Sequence, residues 1–345
     1  MNKEWQDFLT GVGADMPESG ALTFAGDDKV APADVICTVS DQVFLRITGD
    51  DAEAFLQGQF SNDIAALAVP GSQLNSWSSP KGRVLTLFRI IRDGQGYLLQ
   101  MPAGLAEPMV RRLRMFVLRA KVVIEPQPDI ISIGVRGKKA VAAILDDLSI
   151  KMPGSTDGVV QSDGITLVRV RGDEPRLEVI GSVMQACALW NKLSADYQPA
   201  GDNVWKLQNI DAGVPSIEPA TSEAFVLQML NLQHIDGVSF KKGCFPGQEV
   251  VARMQYLGKL KRRMYRMQGT LKDSVSLPMA GDELFSEGVA SAAGKVVDAQ
   301  AVGDGTFRLL AVIAIAAAES PLFLDKEGGR EVTLLALPYS VDADE

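Results

Sequence analysis

The sequence predicts an α+β protein made of three successive units, and three observations carry that reading. From about residue 40 to 120, short apolar runs of strand type alternate with segments of helical periodicity. The same alternation returns from Ile130 to Lys192 over a similar length, which hints at an internal duplication, although no strong sequence repeat accompanies it. From about Lys259 onward helical periodicity stops. Short apolar runs there alternate with turns at Gly281-Asp282, Gly303-Asp304-Gly305 and Gly328-Gly329, the pattern of a small all-β unit. The expected boundaries are 1–128, 129–257 and 258–345.

Each element follows from its own pattern. A polar lead containing Gly and Pro, from Gly11 to Asp34, predicts loose structure. Val43 to Ile47 reads as a strand. Asp50 and Glu53 make a capping-box-like pair before a helix whose apolar face is Phe55, Leu56 and Phe60. Val69 to Pro80 is turn-rich. Arg83 to Ile91 and Tyr97 to Met101 follow as strands, joined by the hairpin sequence Arg92-Asp93-Gly94-Gln95-Gly96. Met109, Leu113, Phe116 and Val117 recur at helical spacing with Arg111, Arg112 and Arg114 between them, a helix with a basic outer face. In the second unit Ile130 to Val135, Ile165 to Val170 and Arg176 to Ile180 read as strands. Ala140 to Leu148 and Ser182 to Lys192 read as helices.

Composition narrows the function classes. A chain of 345 residues with 46% hydrophobic and 22% charged residues has the make-up of a soluble globular protein large enough for more than one core. Its 34 basic and 43 acidic residues give a net charge of −9, which argues against a surface devoted to nucleic acid. Met1 to Gly11 contains Glu4 and Asp7 and lacks an apolar core, so no signal peptide is expected. The longest apolar run, Leu309 to Ala318, is too short to span a bilayer. Cys37, Cys187 and Cys244 are odd in number and widely spaced, as expected of reduced thiols in a cytoplasmic protein.

Chemistry concentrates in Lys241-Lys242-Gly243-Cys244-Phe245-Pro246-Gly247-Gln248-Glu249. The cysteine follows two cationic residues and precedes what reads as a helix start. Pro246 suits a first helical turn, and Glu249 suits the positive end of the dipole. A thiol in such surroundings is expected to ionise more readily than a free one. The competing reading is a Gly-rich turn with an incidental cysteine. Other chemistries lack their residues. His234 is the only histidine, so imidazole catalysis rests on one residue whose expected role is structural. No zinc spacing occurs, and three scattered cysteines cannot ligate an iron–sulfur cluster alone, although Cys244 could supply one shared ligand. The Gly-x-Gly triplets at 11–13, 94–96 and 303–305 open no phosphate-binding unit.

The stretch Lys242 to Glu249 also resembles the signature Lys-Gly-Cys-[Phe/Tyr]-x-Gly-Gln-Glu of the YgfZ family, relatives of the glycine-cleavage aminomethyltransferases. Further resemblances come in the expected order. They are Phe55-Leu56-Gln57-Gly58-Gln59 with Asn62-Asp63, Lys81-Gly82-Arg83, Asn209-Ile210-Asp211-Ala212-Gly213, Asn231-Leu232 and the terminal Leu337-Pro338-Tyr339-Ser340. The likeness covers most of the chain. It implies a duplicated α+β folate-binding domain of the aminomethyltransferase type followed by a small C-terminal β-barrel.

It further implies tetrahydrofolate or a derivative as ligand, with Trp205 stacking on the pterin, Asp211 accepting from its N–H edge and Asn209 beside them. Cys244 would be the reactive thiol, held as thiolate by Lys242. Gly243 and Gly247 would allow the tight path, Gln248 and Glu249 would cap the helix, and Arg253 would face the same site. The implied role is support for the assembly or repair of iron–sulfur enzymes and, through them, tRNA modification. Partners would be those enzymes or assembly factors, with no direct nucleic acid and no membrane. Two alternatives stand beside it: a folate-dependent one-carbon transferase or demethylase, and a pure docking module.

Departures bear on the choice. Aminomethyltransferases carry Gly-Gly-x-x-Asp-Asp in the strand resembling Lys81 to Phe88, where this chain has Leu85 and Thr86. Val43 stands where the family has a second pocket tryptophan, and Leu227 where it often has proline.

Overall fold

The computed structural model describes all residues except 17–20, 257, 272–275, 290, 327–328 and 342–345. Helix α1 (Lys3–Gly11) comes first, capped by the Asn2 side chain, which accepts from the Trp5 amide at 3.1 Å. Strands β1 (Val35–Thr38) and β2 (Gln42–Thr48), helix α2 (Ala52–Gln57), strands β3 (Gly71–Ser78), β4 (Val84–Arg92) and β5 (Tyr97–Pro102), and helix α3 (Ala103–Val117) follow. Next come β6 (Val123–Pro126), β7 (Ile130–Arg136), α4 (Lys138–Asp147), β8 (Val159–Ser162), β9 (Ile165–Arg169), β10 (Arg176–Ser182) and α5 (Val183–Leu193). Strand β11 (Gln198–Ala200) and helix α6 (Asp202–Asp211) lead to an irregular stretch with short 3-10 turns, then to α7 (Gln248–Tyr256). The remaining strands are β12 (Arg262–Thr270), β13 (Glu283–Ser286), β14 (Gly294–Ala301), β15 (Thr306–Ala314), β16 (Leu322–Phe323) and β17 (Glu331–Leu335).

These strands form two open sheets and one closed barrel, so the expected α+β class and barrel both hold. The sheets run β3-β4-β5-β2-β6 and β11-β1-β7-β10-β9-β8, and the barrel runs β12-β15-β14-β13-β16-β17. Contacts divide the chain into two interleaved units. Unit 1 is Met1–Phe55, Ile64–Gln73 and Phe88–Lys206, and unit 2 is Leu56–Asp63, Leu74–Leu87 and Leu207–Glu345. In unit 1, Trp5 packs edge-on against Trp190 at 5.8 Å, and Phe24 stacks on the same ring at 5.5 Å. Helix α5 buries Val183, Ala186, Leu189, Trp190 and Leu193, and Ser182 with Gln185 forms its capping box. In unit 2 the barrel interior holds Met267, Leu284, Phe307, Leu309 and Ile313.

Several local expectations are corrected. Within Val69 to Pro80 lies β3, unseen because its buried residues include the polar Asn75, Ser76 and Ser78, which break apolar alternation. The helix α1 precedes the polar lead, of which residues 17–20 lie outside the described residues, as does Gly328 of the last expected turn. Asp50 and Glu53 form no capping box: Asp50 pairs with Lys121 at 3.0 Å, and Glu53 meets Arg92 and the Tyr97 hydroxyl. In α3 the buried stripe is Leu105, Met109 and Leu113, while Phe116 is exposed. Among the described residues no helix is long and apolar enough to cross a membrane.

Candidate functional site

The chain enters the Cys244 loop already tied to the turn that follows α2. Ser61 Oγ donates to the Gly237 carbonyl at 2.9 Å, and the Ser239 amide donates to the Ser61 carbonyl at 3.1 Å. Asn62 Nδ2 donates to the carbonyls of Asp236 (2.7 Å) and Leu74 (3.0 Å). Beyond this stitching, Lys242 turns inward and is only 8% exposed. Its Nζ lies 2.6, 2.5 and 2.9 Å from the carbonyl oxygens of Gln57, Phe60 and Asn62. An ammonium has three donors, and here each meets a carbonyl. Burial pushes the Lys242 pKa down to about 8, opposed in part by the Asp63 carboxylate. The same ammonium sits 5.5 Å from the centroid of the Phe245 ring.

The three donors of Lys242 are taken by backbone carbonyls, so this side chain anchors the loop. The loop exit is fixed by glycines. Gly247 has φ +83°, and a Cβ there would lie 2.6 Å from both Gly82 Cα and the Ser79 carbonyl oxygen. A Cβ on Gly82 (φ +71°) would lie 2.8 Å from Val250 Cβ. Backbone meets backbone where Lys81-Gly82-Arg83 and Gly247 touch, and only glycine fits both sides. Gly243 differs: it is exposed, lies outside the left-handed region, and has nothing within 4 Å of an added Cβ. Its expected part in a tight path is not required.

Cys244 stands exposed between two buried anchors, Lys242 and Phe245. Helix α7 starts at Gln248, so Pro246 belongs to the preceding turn, and Cys244 lies four residues before the helix. The Gln248 amide donates to the Phe245 carbonyl and the Val250 amide to that of Gly247, both at 3.1 Å. The cap is thus a backbone turn rather than the side chains of Gln248 and Glu249. Glu249 and Arg253 point to solvent. Gln228 supports the helix from beneath, its Nε2 donating to the Val251 carbonyl at 2.7 Å.

The expected pterin residues sit on α6, where positions six apart point about 120° away from each other. Trp205 is buried: its ring atoms lie 2.4 Å from where a Gly134 Cβ would be, and the Arg176 guanidinium covers it at 4.0 Å from the centroid. It is a core ring, not an open stacking face. Asp211 ends the helix, and both its carboxylate oxygens accept from Arg308 Nη1, at 2.7 and 2.6 Å. Arg266 Nη1 donates to the Asp211 carbonyl at 2.7 Å. Two lone pairs are used this way, and a carboxylate has about four acceptor sites. Asn209, half-buried in the same helix, accepts at its carbonyl from the Val214 amide.

Two residues beyond Asp211, the Gly213 carbonyl accepts from the distant Tyr339 hydroxyl at 2.8 Å, and Asn231 Nδ2 donates to the Met264 carbonyl at 3.0 Å. The terminal motif therefore closes on the Asn209–Gly213 segment. Unit 2 also buries polar atoms with no hydrogen-bond partner among the described residues, including the hydroxyls of Ser76 and Ser78, Gln228 Oε1 and Asn231 Oδ1. Each costs about 1–3 kcal/mol unless a polar ligand or water meets it. Sequence reasoning missed Arg266 and Arg308, because their partner Asp211 lies far away in the chain, and β3, because its buried polar residues break apolar alternation. Among the described residues no group of three or more His, Cys, Asp or Glu could hold a metal ion.

No family model matches the chain. Among curated proteins it is 30% identical over 316 residues to the tRNA-modifying protein YgfZ of Colwellia psychrerythraea, covering 91% of this chain and 95% of that one. It is 32% identical over 328 residues to the protein of the same name from Yersinia pestis, covering 93% and 98%. Among solved structures, the glycine cleavage system aminomethyltransferase T from Bartonella henselae aligns with a TM-score of 0.71 over 97% of this chain and 96% of that one. At 15% identity that likeness shows the fold alone.

Proposed function

Because the chain belongs to the YgfZ family, we propose that it serves tRNA modification as a reduced-folate-binding protein whose working group is the Cys244 thiol. The observation that carries this reading is the way Cys244 is presented. An exposed thiol sits on a loop pinned by three carbonyl bonds to Lys242 on one side and by the Gly82–Gly247 contact on the other. An incidental cysteine has no use for such anchoring. One thiol supplies one of the roughly four ligands a cluster needs. Cys244 would therefore act together with the cysteines of an iron–sulfur enzyme or assembly factor.

Folate is supported by the aminomethyltransferase fold, by the unused acceptor sites of Asp211 and by the orphaned polar atoms of unit 2. Asp211, with Asn209 two residues before it in α6, would take the N–H edge of the pterin. Trp205 has no part in this proposal.

Two measurements test it. In cells lacking the endogenous protein, Cys244→Ser should abolish rescue of tRNA thiolation while the purified variant melts like wild type; full rescue would refute the role of the thiol. Tetrahydrofolate should bind, and Asp211→Asn should weaken it roughly ten- to hundredfold, as expected for a lost charge-assisted hydrogen bond. Equal affinity would remove Asp211 from the site.

A further inference from the structure

We infer that a basic pocket on unit 2 is an anion site that takes a phosphate group. The pocket has a volume of about 440 Å³, and Arg83, Arg262, Lys295 and Glu283 line it together with Phe225 and Val312. Strand register explains why these charges converge. Arg262 of β12 stands opposite Ala314 of β15, two residues from Val312. Val312 stands opposite Lys295 of β14, and Lys295 opposite Glu283 of β13. Paired residues and residues two apart share a face, so Arg262, Val312, Lys295 and Glu283 form a row across four neighbouring strands. Their neighbours Leu284, Val296 and Ile313 belong to the barrel interior, which puts the row on the outside.

Arg83 enters from the turn before β4. Its Nη1 donates to the Ala224 carbonyl at 2.7 Å, which fixes the guanidinium and leaves the other donors available. No ion pair within the described residues engages any of the four charged side chains. Three cations against one carboxylate leave a surplus of two positive charges in a chain of net −9. A phosphate monoester carries about −1.5 to −2 at neutral pH and matches that surplus better than a single carboxylate. The guanidinium forks suit its oxygens, and the lysine adds a point charge. The site does not depend on folate binding or on Cys244. Its phosphate could come from a small phosphate ester or from an RNA backbone.

Titration with inorganic phosphate at constant ionic strength, followed by calorimetry, tests the site. Saturable binding is expected, weakened about tenfold in Arg262→Ala and in Lys295→Ala. Glu283→Gln removes the one acid and should tighten it. Melting temperatures control for folding, and Arg262 is exposed enough to be replaced safely. Absent saturation, or one affinity shared by wild type and all three variants, would overturn the inference. A short oligouridine distinguishes the two sources. Competition with phosphate, lost in the same variants, identifies an RNA backbone; indifference to the oligonucleotide identifies a small ester.

Discussion

Lys242 and Cys244 are two residues apart in sequence and live in different media. The lysine is held in a nest of carbonyls, and the cysteine faces water. That contrast makes the thiols separable. Burial pushes the Cys37 thiol pKa up, and the half-buried Cys187 is shifted the same way. Brief alkylation of the native protein should therefore label Cys244 alone, read by peptide mass spectrometry; a second labelled cysteine would contradict the exposure argument. Cys244→Ser should change stability by no more than about 0.5 kcal/mol.

For Lys242 the sign of the pH effect follows from burial. Its folded pKa of about 8 lies below the ordinary 10.5, so the folded chain releases the proton first. Its contribution to stability is thus constant below pH 8 and rises with pH up to 10.5. Lys242→Met should remove that rise in denaturant midpoints measured from pH 7.5 to 10. It should also cost about 1–3 kcal/mol at neutral pH, by leaving buried carbonyls without donors. A variant with the wild-type slope would show that the ammonium titrates normally. The motif was legible in the sequence, but the role of its lysine was not. Its three acceptors lie 180 to 185 residues earlier, where no local pattern points.

Elements with self-contained patterns were readable. The β4–β5 hairpin pairs Arg92 with Tyr97 around Gly94 and Gly96, both at positive φ, and Ser182 caps α5 as its sequence suggests. Strand β3 was not readable, since its buried Asn75 and Ser76 are held by hydrogen bonds, Asn75 Oδ1 accepting from the Asn62 amide and the Ser76 amide donating to Ser61 Oγ, and not by hydrophobicity. The Cys244 loop lies between these cases. Its two glycines look alike in sequence and differ in structure. Gly247→Ala would force a Cβ into the Gly82 backbone at an unfavourable φ and should destabilise by at least about 1–3 kcal/mol. Gly243→Ala, with open space around it, should stay within about 0.5 kcal/mol. Equal losses in thermal melts of the two would mean that the contact between loop and turn does not fix the loop.

At the scale of the whole molecule, topology departs from chain order. Strand β1 pairs with β7 and β11, far downstream, and the two units exchange segments along the chain. Such pairings bury apolar runs against distant partners, so they leave only a strand-like local trace and no record of which sheet is joined. The fold likeness to aminomethyltransferase T is equally silent about chemistry, because function resides in the residues a fold carries. The decisive residues here are on β4. Where the resemblance implies paired aspartates, this chain has Leu85 and Thr86; Thr86 is 1% exposed, and its hydroxyl donates to the Leu87 carbonyl at 3.2 Å. Neither side chain can take a proton during transfer to folate, and general base assistance contributes about 10²–10⁴-fold. Supplied with aminomethylated lipoyl carrier and tetrahydrofolate, the purified protein should form no methylene-tetrahydrofolate above background. Robust turnover would mean that another group supplies the base, and the transferase reading would then displace the one argued from Cys244.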